Sequence, residues 1–79
     1  MKAEKNKQAI AFGEVLKELR REAKLSQDSL AEKADLERTF ISFMERGERQ
    51  PTLSTVVALA SALEIEPDEI VRLTVKRLK

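Results

Sequence analysis

Apolar side chains return at helical spacing in five separate stretches, and none of them alternates in the two-residue rhythm of a half-buried strand. In the first, Phe12, Leu16, Leu19 and Ala23 recur at intervals of three and four, which sets them on one face of a helix from about Gln8 to Ala23. Gly13 on that helix is a place where another backbone can come close. Ser26-Gln27-Asp28 supplies a hydroxyl cap and an acidic first turn for a short second helix, with Leu30, Ala31 and Ala34 inward. Leu36, Ile41 and Met44 resume the pattern from about Glu37 to Arg46, and Gly47 ends it where a left-handed residue is wanted.

Thr52 caps a fourth segment, Leu53 to Leu63, in which Leu53, Val56, Val57, Leu59, Ala60 and Leu63 are apolar on nearly every side, as in a central helix. Pro67 followed by Asp68 and Glu69 opens a fifth helix to about Leu78, with Lys76, Arg77 and Lys79 at its negative end. The expectation is an all-α chain forming a single domain over residues 1–79, its core spanning about 9–79.

Length and composition narrow what such a domain does. At 79 residues a single core is marginal without help. The chain has no cysteine and no histidine, so disulfides and the usual zinc ligand sets are excluded, and neither a metal nor a cofactor is expected. Leu53–Leu63 is interrupted by Ser54, Thr55 and Ser61 and falls far short of the roughly 20 residues that cross a bilayer. Met1 to Gln8 lacks the apolar core of a secretory signal, so a cytoplasmic protein with no membrane partner is expected. The net charge of +1 comes without a basic block, so any affinity for a polyanion rests on particular arginines and amides gathered on one face.

Gln27 to Arg46 is the informative unit: a short helix, a turn after Ala34, and a second helix. A small residue at Ala31 permits a close, steep crossing, and Leu36 plugs the turn. Ile41 and Met44 hold the second helix down, so its polar face protrudes in a shape that fits a major groove.

Three stretches carry a resemblance. Phe12-Gly-Glu-Val-Leu-Lys-Glu-Leu-Arg, Leu25-Ser-Gln-Asp-Ser-Leu-Ala-Glu-Lys-Ala and Ile41-Ser-Phe-Met-Glu-Arg-Gly-Glu-Arg-Gln-Pro together resemble the Cro/C1-type (XRE) helix-turn-helix family. The likeness runs from about Ala11 through Leu73, and Leu36-Glu-Arg-Thr-Phe-Ile-Ser resembles the restriction-modification controller proteins within it. The resemblance implies a five-helix lambda-repressor-like DNA-binding domain that regulates transcription from a double-stranded operator.

Residue by residue, it implies that Gln27 binds a phosphate and buttresses the recognition helix. Arg38, Thr39, Ser42 and Phe43 take the positions that face base edges. Arg38 has the donor fork for guanine, and Thr39 or Phe43 can pack on a thymine methyl. Arg46, Arg49 and the amides around Thr52 fall where relatives clamp the backbone. Arg20 and Glu45 match a structural ion pair. Plainer readings stand beside these: solvated arginines, a bystander serine, and a Phe43 that belongs to the core or to a protein contact.

Lys24 and Asp35 stand where relatives often place glycine, so both are expected at positive φ, and Glu37 is a weak cap for the recognition helix. In the fifth helix Ile70, Val71, Leu73, Thr74, Val75 and Leu78 offer more apolar surface than one docking face needs, which points to a homodimer. Such a regulator is expected to act by steric occlusion or by contact with RNA polymerase. A protein-interaction or antitoxin-like helix-turn-helix module is the competing class. An enzyme lacks the inventory, with no His, Cys, Tyr or Trp and no glycine-rich phosphate loop.

Overall fold

The computed structural model describes residues 6–79, so residues 1–5 of the segment read above for a targeting signal lie outside the described residues. Five helices follow one another: α1 (Lys7–Glu22), α2 (Gln27–Ala34), α3 (Arg38–Glu45), α4 (Leu53–Leu63) and α5 (Pro67–Arg77). No strand occurs among the described residues.

Local chemistry explains the boundaries. Asn6, Ser26 and Thr52 each stand in extended conformation and accept a hydrogen bond from the amide three residues on, at 2.7, 3.0 and 3.1 Å. Glu37 and Glu66 make no such side-chain bond, so α3 and α5 begin uncapped, and Pro67 supplies the preset φ at the start of α5.

The first four helices end alike. Lys24, Asp35, Gly47 and Glu64 take positive φ, at 60°, 58°, 75° and 61°. Behind each, the next amide reaches back five residues: Leu25 to the Arg20 carbonyl, Leu36 to Ala31, Glu48 to Phe43 and Ile65 to Ala60. In three of the four the reaching residue is apolar, and Leu25, Leu36 and Ile65 all pack on the core. Lys24 and Asp35 thus stand as the sequence implied, and Glu64 is an addition to that reading.

One core serves all five helices. Leu16, Leu30, Ile41, Met44, Leu59 and Ile70, drawn from α1, α2, α3, α3, α4 and α5, are its largest fully buried side chains. Each stabilises the fold by about 1.5–3 kcal/mol over leaving it in water, so no helix is spare. α1 buries a broader face than the spacing implied, adding Ala9, Ala11 and Val15, while Ala23 is exposed at its end. On α4, Leu53 (79% exposed) and Val57 (49%) face out, and Thr55 and Ala62 are buried instead.

Ile70 requires a correction. Expected on a dimer face, it is completely buried, because it points into the core from the first turn of α5. Leu73 is half-buried against the same core, and the Thr74 hydroxyl is occupied in donating to the Ile70 carbonyl at 2.9 Å. The outward stripe of α5 is Val71, Val75 and Leu78, spaced i, i+4 and i+7, and Ile10 of α1 is exposed near Leu78. Arg77 fastens the end of α5 to α1, donating to Glu14 at 3.2 Å and Glu18 at 2.6 Å.

Candidate nucleic-acid interface

α2 packs against α3, and its Ala31 is 4% exposed and carries only a methyl group. With Ile41 and Met44 sealed beneath α3 and Phe40 partly so, the helix turns Arg38, Thr39, Ser42, Phe43 and Arg46 outward. From behind, α1 comes so close that a Cβ on Gly13 would run into the Met44 carbonyl oxygen and stand 2.8 Å from that of Glu45. Only glycine fits there.

A chain of polar contacts runs from that rear face to the front. Arg20 donates to Glu45 through Nε (2.6 Å) and Nη2 (3.1 Å), and its Nη1 donates to the Leu25 carbonyl at 2.9 Å. The expected ion pair is therefore present, with side chains only 11% and 4% exposed. Its hydrogen bonds to Glu45 hold the Arg20 guanidinium above the ordinary arginine range, outweighing the opposing effect of burial.

Gln27 lengthens the chain. Its Nε2 donates to Glu45 Oε1 at 3.0 Å, and its Oε1 accepts from Arg38 Nη1 at 3.3 Å. An acceptor on one side and a donor on the other leave the amide a single sensible orientation. Arg38 also meets Asp28 at 3.4 Å, so the first side chain of α3 is steadied from α2 while staying more than half exposed. The sequence places Asp28 in the acidic first turn of α2 but does not show its pairing with Arg38. Contacts across a helix crossing have no signature in linear spacing.

The far end of α3 carries a second cluster. Arg46 donates to the Ser42 hydroxyl and, at 3.2 Å, to Glu48. The Phe43 ring has the Arg46 guanidinium carbon 5.0 Å and that of Arg49 5.5 Å from its centroid. Thr52 commits its hydroxyl to capping α4, so the groups there able to meet an anion are the amides at that helix start.

All the residues singled out in the sequence for DNA lie on or beside α3 and the start of α4; on the dimer side Ile70 is displaced into the core, and Leu73 and Thr74 are half-buried beside the outward stripe. No group of acidic residues among the described residues forms a metal-holding set, and no helix among them is long and apolar enough to cross a membrane.

A protruding helix steadied from behind, on five helices sharing one core, defines the helix-turn-helix class of DNA-binding domains. Residues 16–70 match the helix-turn-helix family model. Among curated proteins, the chain is 46% identical over 62 residues to the immunity repressor protein of Bacillus phage phi105, covering 78% of this chain and 43% of that protein. It is 33% identical over 66 residues to the control protein C.BamHI of Bacillus amyloliquefaciens, covering 82% of each. The chain thus spans less than half the length of the phage repressor and most of the control protein.

Among solved structures, the restriction-modification controller protein C.AhdI from Aeromonas hydrophila is 42% identical with a TM-score of 0.77, covering 78% of this chain and 94% of that one. A point mutant of C.Esp1396I bound to its highest affinity operator site is 29% identical with a TM-score of 0.83, covering 92% and 96%. The chain belongs to the helix-turn-helix family of Cro/C1-type transcription regulators and shares its lambda-repressor-like all-α fold.

Proposed function

We propose that this chain binds a specific double-stranded DNA operator as a symmetric dimer, laying α3 in the major groove, and that it regulates transcription without catalysing a reaction. The observation that carries this reading is the presentation of Arg38, half exposed at the head of α3 and steadied by Gln27 and Asp28. A guanidinium so held suits the O6 and N7 acceptors of guanine, and Thr39 beside it suits a thymine methyl. Gln27, Arg46, Arg49 and the amides after Thr52 surround this reading face and suit backbone phosphates, which position the protein without specifying sequence. An operator-bound relative of the same fold supports the assignment.

The stripe of Val71, Val75 and Leu78, with Leu73 and Thr74 at its edge, supplies the dimer surface in this reading. A two-fold pair sets its recognition helices about 34 Å apart, one turn of DNA. Regulation then follows from occluding a promoter or from touching RNA polymerase beside it. A protein-docking role for α3 would call for Phe43 as a bare apolar anchor, whereas its ring is attended by two arginines.

The test is selection from a randomised duplex pool at near-physiological salt. A two-fold symmetric motif is expected. Recovery of no motif by the folded protein would overturn the reading.

A further inference from the structure

Phe43 faces out beside the reading side chains, yet its surroundings differ from theirs. It is half-buried on α3, and two cations share its ring at 5.0 and 5.5 Å. Arg46 reaches the ring because it lies three residues on, the spacing that makes neighbours on a helix surface. Arg49 reaches it for a different reason. Gly47, at φ 75°, reverses the chain, and the Glu48 amide closes on the Phe43 carbonyl at 2.9 Å, which returns the next residue over the same ring.

We infer that Phe43 is a positioning residue: its ring gathers Arg46 and Arg49 into one preset phosphate clamp and does not read a base. This rests on the DNA-binding function proposed above and assigns a part within it. Two like charges close together repel, and two long side chains lose rotamer freedom when a phosphate fixes them. The negative face of an aromatic ring opposes the first effect by attracting both guanidinium groups, and reduces the second by restricting them before DNA arrives. Ser42 and Glu48 add to the restriction by accepting from Arg46. With two guanidinium groups over the ring, Phe43 is engaged with cations that meet phosphate, and what it contributes to binding is the same for every sequence.

The experiment measures binding of wild type, Phe43→Leu, Phe43→Tyr, Arg46→Ala/Arg49→Ala and the triple variant to the selected operator and to single-base-pair variants of it, across a salt series. Circular dichroism first verifies the helical fold of each. Phe43→Leu is expected to weaken all duplexes alike, by roughly 5- to 30-fold, as two lost cation–π contacts imply. It is also expected to flatten the salt dependence by about one to two phosphate contacts. Phe43→Tyr, which keeps the ring, restores most of the affinity. Adding Phe43→Leu to the double arginine variant costs little more.

A loss confined to one base pair with the salt slope intact makes Phe43 a base reader and overturns the inference, as does unchanged binding by Phe43→Leu. An additional full loss in the triple variant overturns it too. Failure of wild type itself to bind any duplex in a salt-dependent way removes the parent reading, a result distinct from the other three.

Discussion

Arg20 and Glu45 stand 25 positions apart in sequence and meet through two hydrogen bonds, of 2.6 and 3.1 Å, that join α1 to the last residue of α3. Glu45 also accepts from Gln27, so the pair is at once a structural tie and the anchor of the side chain that steadies Arg38.

Arg20→Met alone leaves the Glu45 carboxylate at a nearly closed site without its charged mate, at an expected cost of about 3–5 kcal/mol. The combined Arg20→Met/Glu45→Leu replacement should recover most of that stability in urea unfolding, yet bind operator less well, because Gln27 loses its acceptor. Equal destabilisation by the single and combined changes would contradict this account.

The pair also has a pH signature. Arg20 is raised in the folded state by its bonds to the Glu45 carboxylate, so the stability it carries is complete across the neutral range and is lost on the alkaline side only as pH climbs through the folded-state value. With no histidine or cysteine in the chain, the unfolding midpoint is expected to stay level between about pH 6 and 9. A step near neutrality in a thermal series would argue against it.

Arg38→Ala and Arg49→Ala should separate specificity from adhesion. The first is expected to lose about 1–3 kcal/mol and to relax preference at one base pair; the second should weaken all duplexes alike and lower the salt slope by about 1. Identical, sequence-blind losses would refute the division of labour.

Glu37→Ser tests the uncapped start of α3. Its hydroxyl can accept from the amide of Phe40, and the change is expected to add about 1 kcal/mol of stability. Operator affinity should rise as well, because a carboxylate leaves the neighbourhood of the phosphates. A lower denaturation midpoint would show that Glu37 has another task.

Val75→Lys and Ile70→Lys make a paired test of α5. Val75 is 44% exposed, so a lysine there should leave the helical signal intact while sedimentation shifts from dimer to monomer. Ile70 is fully buried, and a charge there should unfold the chain. A Val75→Lys protein that remains dimeric would move the interface elsewhere.

What could be seen beforehand follows the range of the forces involved. All five helices were legible because capping, helix-stopping residues and the three-to-four spacing act within a few positions. Nothing about Glu64 advertises positive φ; its left-handed turn is explained by Ile65 behind it, which packs on the core and donates its amide to the Ala60 carbonyl. Ala23 and Ile70 were misplaced because an apolar residue near a helix end fits either an inner or an outer stripe until neighbouring helices choose. The tie between Arg38 and Asp28 has no signature for a kindred reason: it is made only across the crossing of α2 and α3.

Gly13 gives the reading helix its footing in main chain. The carbonyls of Met44 and Glu45 rest against a residue with no side chain, so the rear of α3 is seated on backbone that a change on its front does not touch. Aim and message are thereby kept in different places. Under the proposed function, Arg38 and Thr39 are then open to exchange for other side chains while the helix continues to point where it did, and the domain serves as a fixed mount for an interchangeable set of letters.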